Sequence, residues 1–172
     1  MNELAPTVAA IRYVIGDASD PPTIDAPALL VHICNAAGGW GRGFTGALSQ
    51  RFPEPERAYR AWFRGHEPNA VEFALGQTQF VRVKPHLVVA NMLAQTTFRP
   101  LPGNASKLVL PALGQCLTRV AEVAIGMRAS VHAPRLGCGL AGGTWDQIQP
   151  LIEQHLLTRG VAVTIYDLPT SA

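Results

Sequence analysis

Pro134-Arg-Leu-Gly-Cys-Gly-Leu-Ala-Gly-Gly-Thr-Trp145 decides how this chain is read. Glycine occupies positions 137, 139, 142 and 143, between a β-like run (130–134) and a helix-like run (145–158). A glycine-rich passage from strand to helix leaves backbone N–H groups unpaired with no Cβ in front of them, which makes a cradle for phosphate. A second such loop, Gly38-Gly-Trp-Gly-Arg-Gly43, follows another apolar run and opens another helical pattern. Two loops of this kind in 172 residues point to a ligand with a diphosphate and more than one sugar.

Composition sets the frame. With 48% apolar and 15% charged residues, the chain reads as one globular domain with a sizeable core. That domain is expected over residues 1–172, with its core over about 10–168. A formal net charge of +2 is too small to argue for nucleic acid, and the basic run 57–64 reads as a solvated helix face. The longest apolar runs, 28–34 and 87–94, are far short of a membrane span. Residues 1–10 lack the basic start and long apolar stretch of a secretion signal. Cys34, Cys116 and Cys138 are odd in number and irregular in spacing, which suggests free thiols in a reducing compartment, with the cytoplasm as default. A monomer is favoured. No cofactor or metal is expected, because His32, Cys34, His132 and Cys138 have no zinc-type spacing.

The elements follow from periodicity. Ile11-Arg-Tyr-Val-Ile15 alternates and runs into Gly16-Asp17, as a strand entering a loop. The nearly continuous apolar run 28–34 suits a strand covered on both faces. Phe44, Leu48 and Phe52 stand four apart and predict a helix over 43–52. A second helix is predicted over 54–63, entered through Pro53 or Pro55. Strands are predicted over 77–83 and 87–92, joined by a turn, then a loop over 96–106 and a long helix over 107–128. A last strand covers 161–166. The late alternation of strand and helix predicts an α/β fold, a three-layer α/β/α domain around a mixed, mainly parallel sheet. Ligands of such sheets lie beyond the carboxyl ends of the strands, so Gly16-Asp17 and loops 35–43 and 136–143 meet at one edge.

These residues resemble a macro domain, the fold that binds ADP-ribose. The resemblance runs from Ile11-Arg-Tyr-Val-Ile-Gly-Asp17 to Val163-Thr-Ile-Tyr-Asp167. His32-Ile-Cys-Asn35, the first glycine loop, Arg51-Phe-Pro53 and Pro134-Arg-Leu-Gly-Cys-Gly139 with Trp145 are similar to one branch. That branch holds ADP-ribose 1''-phosphate phosphatase and the hydrolases that remove ADP-ribose from glutamate side chains or DNA bases. The resemblance implies that Asp17 accepts the adenine amino group and that the Ala18 N–H faces another adenine nitrogen. It implies that Gly137, Cys138, Gly139, Leu140 and Ala141 hold the diphosphate with backbone amides. Asn35, Gly41, Arg42 and Gly43 then surround the distal ribose, where the reactive C1'' lies, and Phe44 packs against that ribose or enters the core. Trp40 is a candidate to cover the ligand, and Gln95 and Arg99 sit where a variable loop reaches the distal ribose.

One departure separates the chain from the glutamate-directed hydrolases, in which a lysine attacks C1'' and a loop aspartate assists. Here Ala141 occupies the aspartate position, and no lysine occurs between Pro85 and Ser106. A hydrolase of this sequence therefore uses a positioned water. The expected function is removal of mono-ADP-ribose from acidic side chains of modified proteins, with Asn35 and His32 as catalytic candidates. His32 reads equally as a core histidine, and Asn35 as a turn-former. The alternatives are ADP-ribose 1''-phosphate phosphatase and a non-catalytic reader of ADP-ribosylated proteins. A dinucleotide fingerprint, Gly137-Cys-Gly-Leu-Ala-Gly142, falls too late in the chain to support a dehydrogenase. Partners are ADP-ribose and ADP-ribosylated proteins, with no direct nucleic-acid or membrane binding expected.

Overall fold

The computed structural model describes residues 9–22 and 25–170. Its middle layer is a sheet in the order β1-β6-β5-β2-β4-β3. The strands are β1 (Arg12–Ile15), β2 (Ala28–Asn35), β3 (Thr78–Lys84), β4 (Leu87–Gln95), β5 (Ser130–Ala133) and β6 (Val163–Asp167). The helices are α1 (Phe44–Arg51), α2 (Glu54–Phe63), α3 (Leu110–Met127) and α4 (Trp145–His155). Neighbouring strands run parallel except the β3–β4 hairpin. No helix among the described residues is long and apolar enough to cross a membrane.

Alternation along the central strands sorts the core into two halves. Leu29 and Val31 of β2, with Ala90 and Met92 of β4, pack against Leu117 of α3 and Ile148 of α4. Leu30 and Val89 point the other way, onto Leu48 of α1. Cys34 and Leu93 meet Tyr59 and Trp62 of α2. Both faces are covered, which is why the run 28–34 carries so little polar alternation.

Prolines set two helix boundaries. Phe52 is extended ahead of Pro53, whose ring disfavours helical backbone in the residue before it. Pro55 occupies the first turn of α2, where its missing N–H costs nothing. The predicted helix over 107–128 starts later, at Leu110. The Lys107 N–H donates to the Ala141 carbonyl (2.9 Å), the Lys107 carbonyl accepts from Thr96 (2.9 Å), and Val109 donates to Ala94 (2.8 Å). These bonds hold 107–109 extended, beside the end of β4 and tied to the second glycine loop. The last helix is shorter than 145–158, ending at His155 before a 3-10 turn, Leu157–Arg159.

One polar network crosses the buried face under α2. Asn91 is fully buried. Its amide nitrogen donates to the Pro55 carbonyl (3.1 Å) and to Gln79 Oε1 (3.0 Å), and Gln79 Nε2 donates to the Ala58 carbonyl (3.0 Å). These bonds orient Asn91 so that Oδ1 faces His32 Nε2 at 2.5 Å. Asn91→Ala strands a buried histidine N–H and a half-buried glutamine oxygen, so it is expected to lower unfolding free energy by about 2–4 kcal/mol. A urea unfolding curve matching the wild type would contradict the network's role.

Candidate functional site

β2 and β5 are parallel neighbours. The chain leaves β2 toward α1 on one face and leaves β5 toward α4 on the other. A crevice opens between the two departing loops, as it does wherever adjacent parallel strands diverge this way. Two adjoining cavities of about 290 and 240 Å³ fill it, and Arg42, Thr45, Gln95 and Leu140 border both.

The first loop is held by Asn35. Its Oδ1 accepts the N–H groups of Ala37 and Gly39 (3.0 Å each), and its Nδ2 donates to the Gly39 carbonyl (2.7 Å). The Tyr59 hydroxyl donates to the Asn35 carbonyl at 2.6 Å. Gly39 is held by close approach, since a Cβ there would lie 2.2 Å from the Phe98 ring. At Gly43, with φ 60°, the chain turns into α1, which has no side-chain N-cap. The N–H groups of Gly43, Phe44 and Thr45 have no partner among the described residues. An uncapped helix start of this kind attracts negative charge.

The second loop presents a matching row. The N–H groups of Gly139, Leu140 and Ala141 have no partner among the described residues, whereas the Cys138 N–H is turned back to the Arg135 carbonyl (3.3 Å). Gly137 is left-handed (φ 67°), and its carbonyl accepts from Gly143 at 2.8 Å, closing the loop. Arg135 fixes the loop's base. It pairs with both oxygens of Asp167 at 2.8 Å and lies over the rings of Tyr13 (4.8 Å) and Trp145 (4.7 Å). Leu140 is 62% exposed and leans across the crevice toward Gly43.

The structure thus brings His32, Asn35, Arg42, Gly43, Phe44, Gly137, Gly139, Leu140 and Ala141 to one crevice, whereas Gly41, whose N–H donates to Thr45 Oγ1 (3.0 Å), and Cys138 line neither cavity. Asp17 and Ala18 lie at the end of β1, outside both cavities. Asp17 Oδ1 accepts the Ser19 N–H (2.9 Å) and hydroxyl (2.7 Å), and Arg51 stands 3.5 Å from Oδ2. Partial burial pushes the Asp17 carboxyl up, but the Ser19 bonds and the Arg51 charge outweigh it and hold it below its usual value. The buried Ala18 keeps an N–H with no partner among the described residues.

Two expectations, the catalytic roles of His32 and Asn35, are corrected. His32 is 1% exposed, and burial, opposed only by the Asn91 bond, pushes it down to about 4. Its Nε2 proton is held by Asn91, assigned from that network, so it is neutral and closed to acid–base work. Asn35 has its carboxamide oxygen committed to its own loop, so it positions the site and is not a free catalytic group. Trp40 is half-buried: it packs against His32 (5.4 Å) and Tyr59 (5.3 Å), its indole N–H donates to Ser49 at 2.7 Å, and it lines the wall of the first cavity. Burial raises Cys34 and Cys116 as well as Cys138, which suits packing thiols. Lys107, just past the segment without lysine, donates from Nζ to the Phe98 carbonyl (3.4 Å) and lines neither cavity. Sequence reasoning missed Tyr59 and Arg60. The four-residue spacing of Glu56 and Arg60 was the available signal.

Similarity to known proteins agrees with the architecture. A macrodomain protein from Streptomyces coelicolor is 46% identical, with a TM-score of 0.78, over 92% of this chain and 99% of that one. The chain belongs to the macrodomain family. A protein of unknown function from Bacteroides thetaiotaomicron is 44% identical with a TM-score of 0.86, over 92% of this macrodomain and 98% of that chain. The zebrafish chromodomain-helicase-DNA-binding protein 1-like is 35% identical over 162 residues, 91% of this chain. The macrodomain spans only 15% of that relative's length. An ADP-ribose 1''-phosphate phosphatase of Meyerozyma guilliermondii is 22% identical across 91% of this chain and 99% of its own. The Thermosipho africanus DarTG in complex with ADP-ribose shares the fold at 19% identity and a TM-score of 0.63, over 84% of this chain and 38% of that one. No sequence-family model matches the chain.

The protonation states set a pH dependence. Below pH 6.5 the unfolded chain takes up a proton at His32 that the folded protein refuses until about pH 4. Stability is therefore full above pH 6.5 and falls toward pH 4, by roughly 3 kcal/mol from this group. His132, lowered by burial, adds to the same slope. Urea midpoints between pH 7.5 and about 4.5 check this. A flat profile would mean that His32 ionises inside the fold.

Proposed function

We propose that this macrodomain binds ADP-ribose and hydrolyses the ester that joins the distal-ribose C1'' to an acidic side chain of a modified protein. One observation carries the reading. Two rows of backbone N–H groups without a partner among the described residues, Gly139–Ala141 and Gly43–Thr45, belong to residues that line one cavity. The two rows suit a diphosphate, because hydrogen bonds to a charged acceptor contribute about 1.5–3 kcal/mol each. Asp17 and the Ala18 N–H at the end of β1 suit the adenine. The cavity beside Asn35, Gly38 and Gly39 then takes the distal ribose.

In the hydrolytic step a water oxygen bonds to C1'' as the bond from C1'' to the ester oxygen breaks. The carboxylate leaves with that electron pair, and the water's surplus proton passes to solvent. A carboxylate is a good leaving group, so the step asks for no strong protein base. That suits a site whose only buried histidine in reach is neutral and engaged. The protein supplies orientation and fixed dipoles. Phosphate removal from ADP-ribose 1''-phosphate is the second reading, supported by the guanidinium groups of Arg42 and Arg60 beside the distal cavity. We place the protein in the cytoplasm, as its free thiols suggest.

Incubation with a protein mono-ADP-ribosylated on glutamate is expected to release free ADP-ribose, followed by mass spectrometry. Gly139→Glu tests the site, since a side chain there meets nothing within 4 Å and its φ is not left-handed. The variant is expected to keep its melting temperature and to lose ADP-ribose binding by more than about thirtyfold, its carboxylate repelling the diphosphate. Full binding by Gly139→Glu would overturn the assignment. Absence of hydrolysis with binding intact would leave a reader or the phosphatase.

A further inference from the structure

The cavity beside Asn35 carries two guanidinium groups and no carboxylate in its lining. Arg42 arrives from the first glycine loop. Arg60 arrives from α2, a different element, and its aim is set by a chain of contacts. Glu56 Oε1 accepts from Arg60 Nε (3.0 Å) and Nη2 (2.9 Å). The other oxygen, Oε2, accepts the Ser49 hydroxyl at 2.8 Å, and Ser49 Oγ accepts the Trp40 indole N–H at 2.7 Å. Both Trp40 and Arg60 border the cavity, so the relay begins and ends on its wall. Burial raises the Glu56 carboxyl, but the Ser49 and Arg60 bonds outweigh it and keep it ionised.

A surface ion pair between helix positions four apart is usually loose and contributes little. This one differs in that its carboxylate is held from behind by Ser49. The Arg60 side chain, 38% exposed, is braced on that carboxylate, and its second terminal nitrogen, Nη1, has no hydrogen-bond partner among the described residues. A planar donor fork held in one direction is suited to an oxyanion. The amide rows lie in and beside the neighbouring cavity and account for the diphosphate. What remains for Arg60 is the group attached to the far end of the nucleotide.

Resting on the function proposed above, we infer that Arg60 is the specificity-determining residue of the distal cavity. It receives the oxyanion at C1'', either the carboxylate that departs from an acidic side chain or a terminal phosphate. With a carboxylate ester, the negative charge develops only as the C1''–O bond breaks. Arg60 then stabilises the departing group and acts on kcat more than on KM. With a phosphate, the charge is present in the ground state and Arg60 acts on affinity. Glu56 and Ser49 are positioning residues for it.

The test uses Arg60→Gln in the full chain, with ADP-ribose, ADP-ribose 1''-phosphate and a glutamate-modified protein as probes. ADP-ribose, which carries no oxyanion at C1'', is expected to bind wild type and variant within about twofold. If the carboxylate is the natural group, the variant loses about tenfold or more in kcat on the glutamate adduct with KM little changed. If phosphate is, wild type binds the 1''-phosphate about tenfold or more tighter than ADP-ribose, and the variant loses that preference. Glu56→Gln, which weakens the aim but keeps the guanidinium, lowers the same quantity by a smaller factor. An Arg60→Gln protein unchanged in both arms overturns the assignment while the ADP-ribose site stands. Wild-type protein that binds no ADP-ribose overturns the site and this inference together.

Discussion

Two neighbouring parallel strands, β2 and β5, send their chains to opposite faces of the sheet, and the crevice depends on that divergence. Because no helix crosses the gap, the loops after both strands end with backbone donors that neither sheet nor helix consumes. At α4 such a donor is capped. In α4 the Gln147 side chain accepts the Thr144 N–H at 3.1 Å. α1 starts without such a side-chain cap, as do α2 and α3, and its first residues line the same cavity as the second loop.

Exposed donors are useful only if they hold still, and the packing around the crevice serves that end. Asn35 ties three bonds into the first loop, and Tyr59 holds the Asn35 backbone from below. The Phe98 ring closes against Gly39, where any side chain would collide. On the other side, Arg135 joins the second loop to the end of β6 and to the aromatic pair of β1 and α4. The extended segment 107–109 stitches the second loop to the end of β4. The His32–Asn91–Gln79 network reaches the second cavity at His32 and braces its floor. His32 reads in sequence as a chemical group beside Asn35, and in the fold it is part of that floor.

Much of this is legible in the sequence. The run 28–34 announced a strand buried on both faces, Pro53 and Pro55 marked the α1–α2 boundary, and the stretch Pro134 to Trp145 placed the second loop between strand and helix. Those signals are local, resting on periodicity, proline geometry and the absence of Cβ. What was not legible depends on contacts between distant segments. Residues 107–109 have helical spacing but are pulled straight by partners at 94–96 and 141. Trp40, in a glycine loop, gives no sign in sequence that Ser49, His32 and Tyr59 hold it as one wall of the cavity. Arg60 sits in a basic run that reads as a solvated face, and in the fold it lines the cavity beside Asn35 and Trp40.

The most direct test of the account is an ADP-ribose titration of the 15N-labelled protein, followed amide by amide in proton–nitrogen correlation spectra. The account predicts that the largest shifts fall on Gly139, Leu140 and Ala141 and on Gly43, Phe44 and Thr45, with Ala18 moving as well. The His32 and Asn91 amides should stay nearly still. Saturating shifts confined to other surfaces, with both amide rows unmoved, would contradict it.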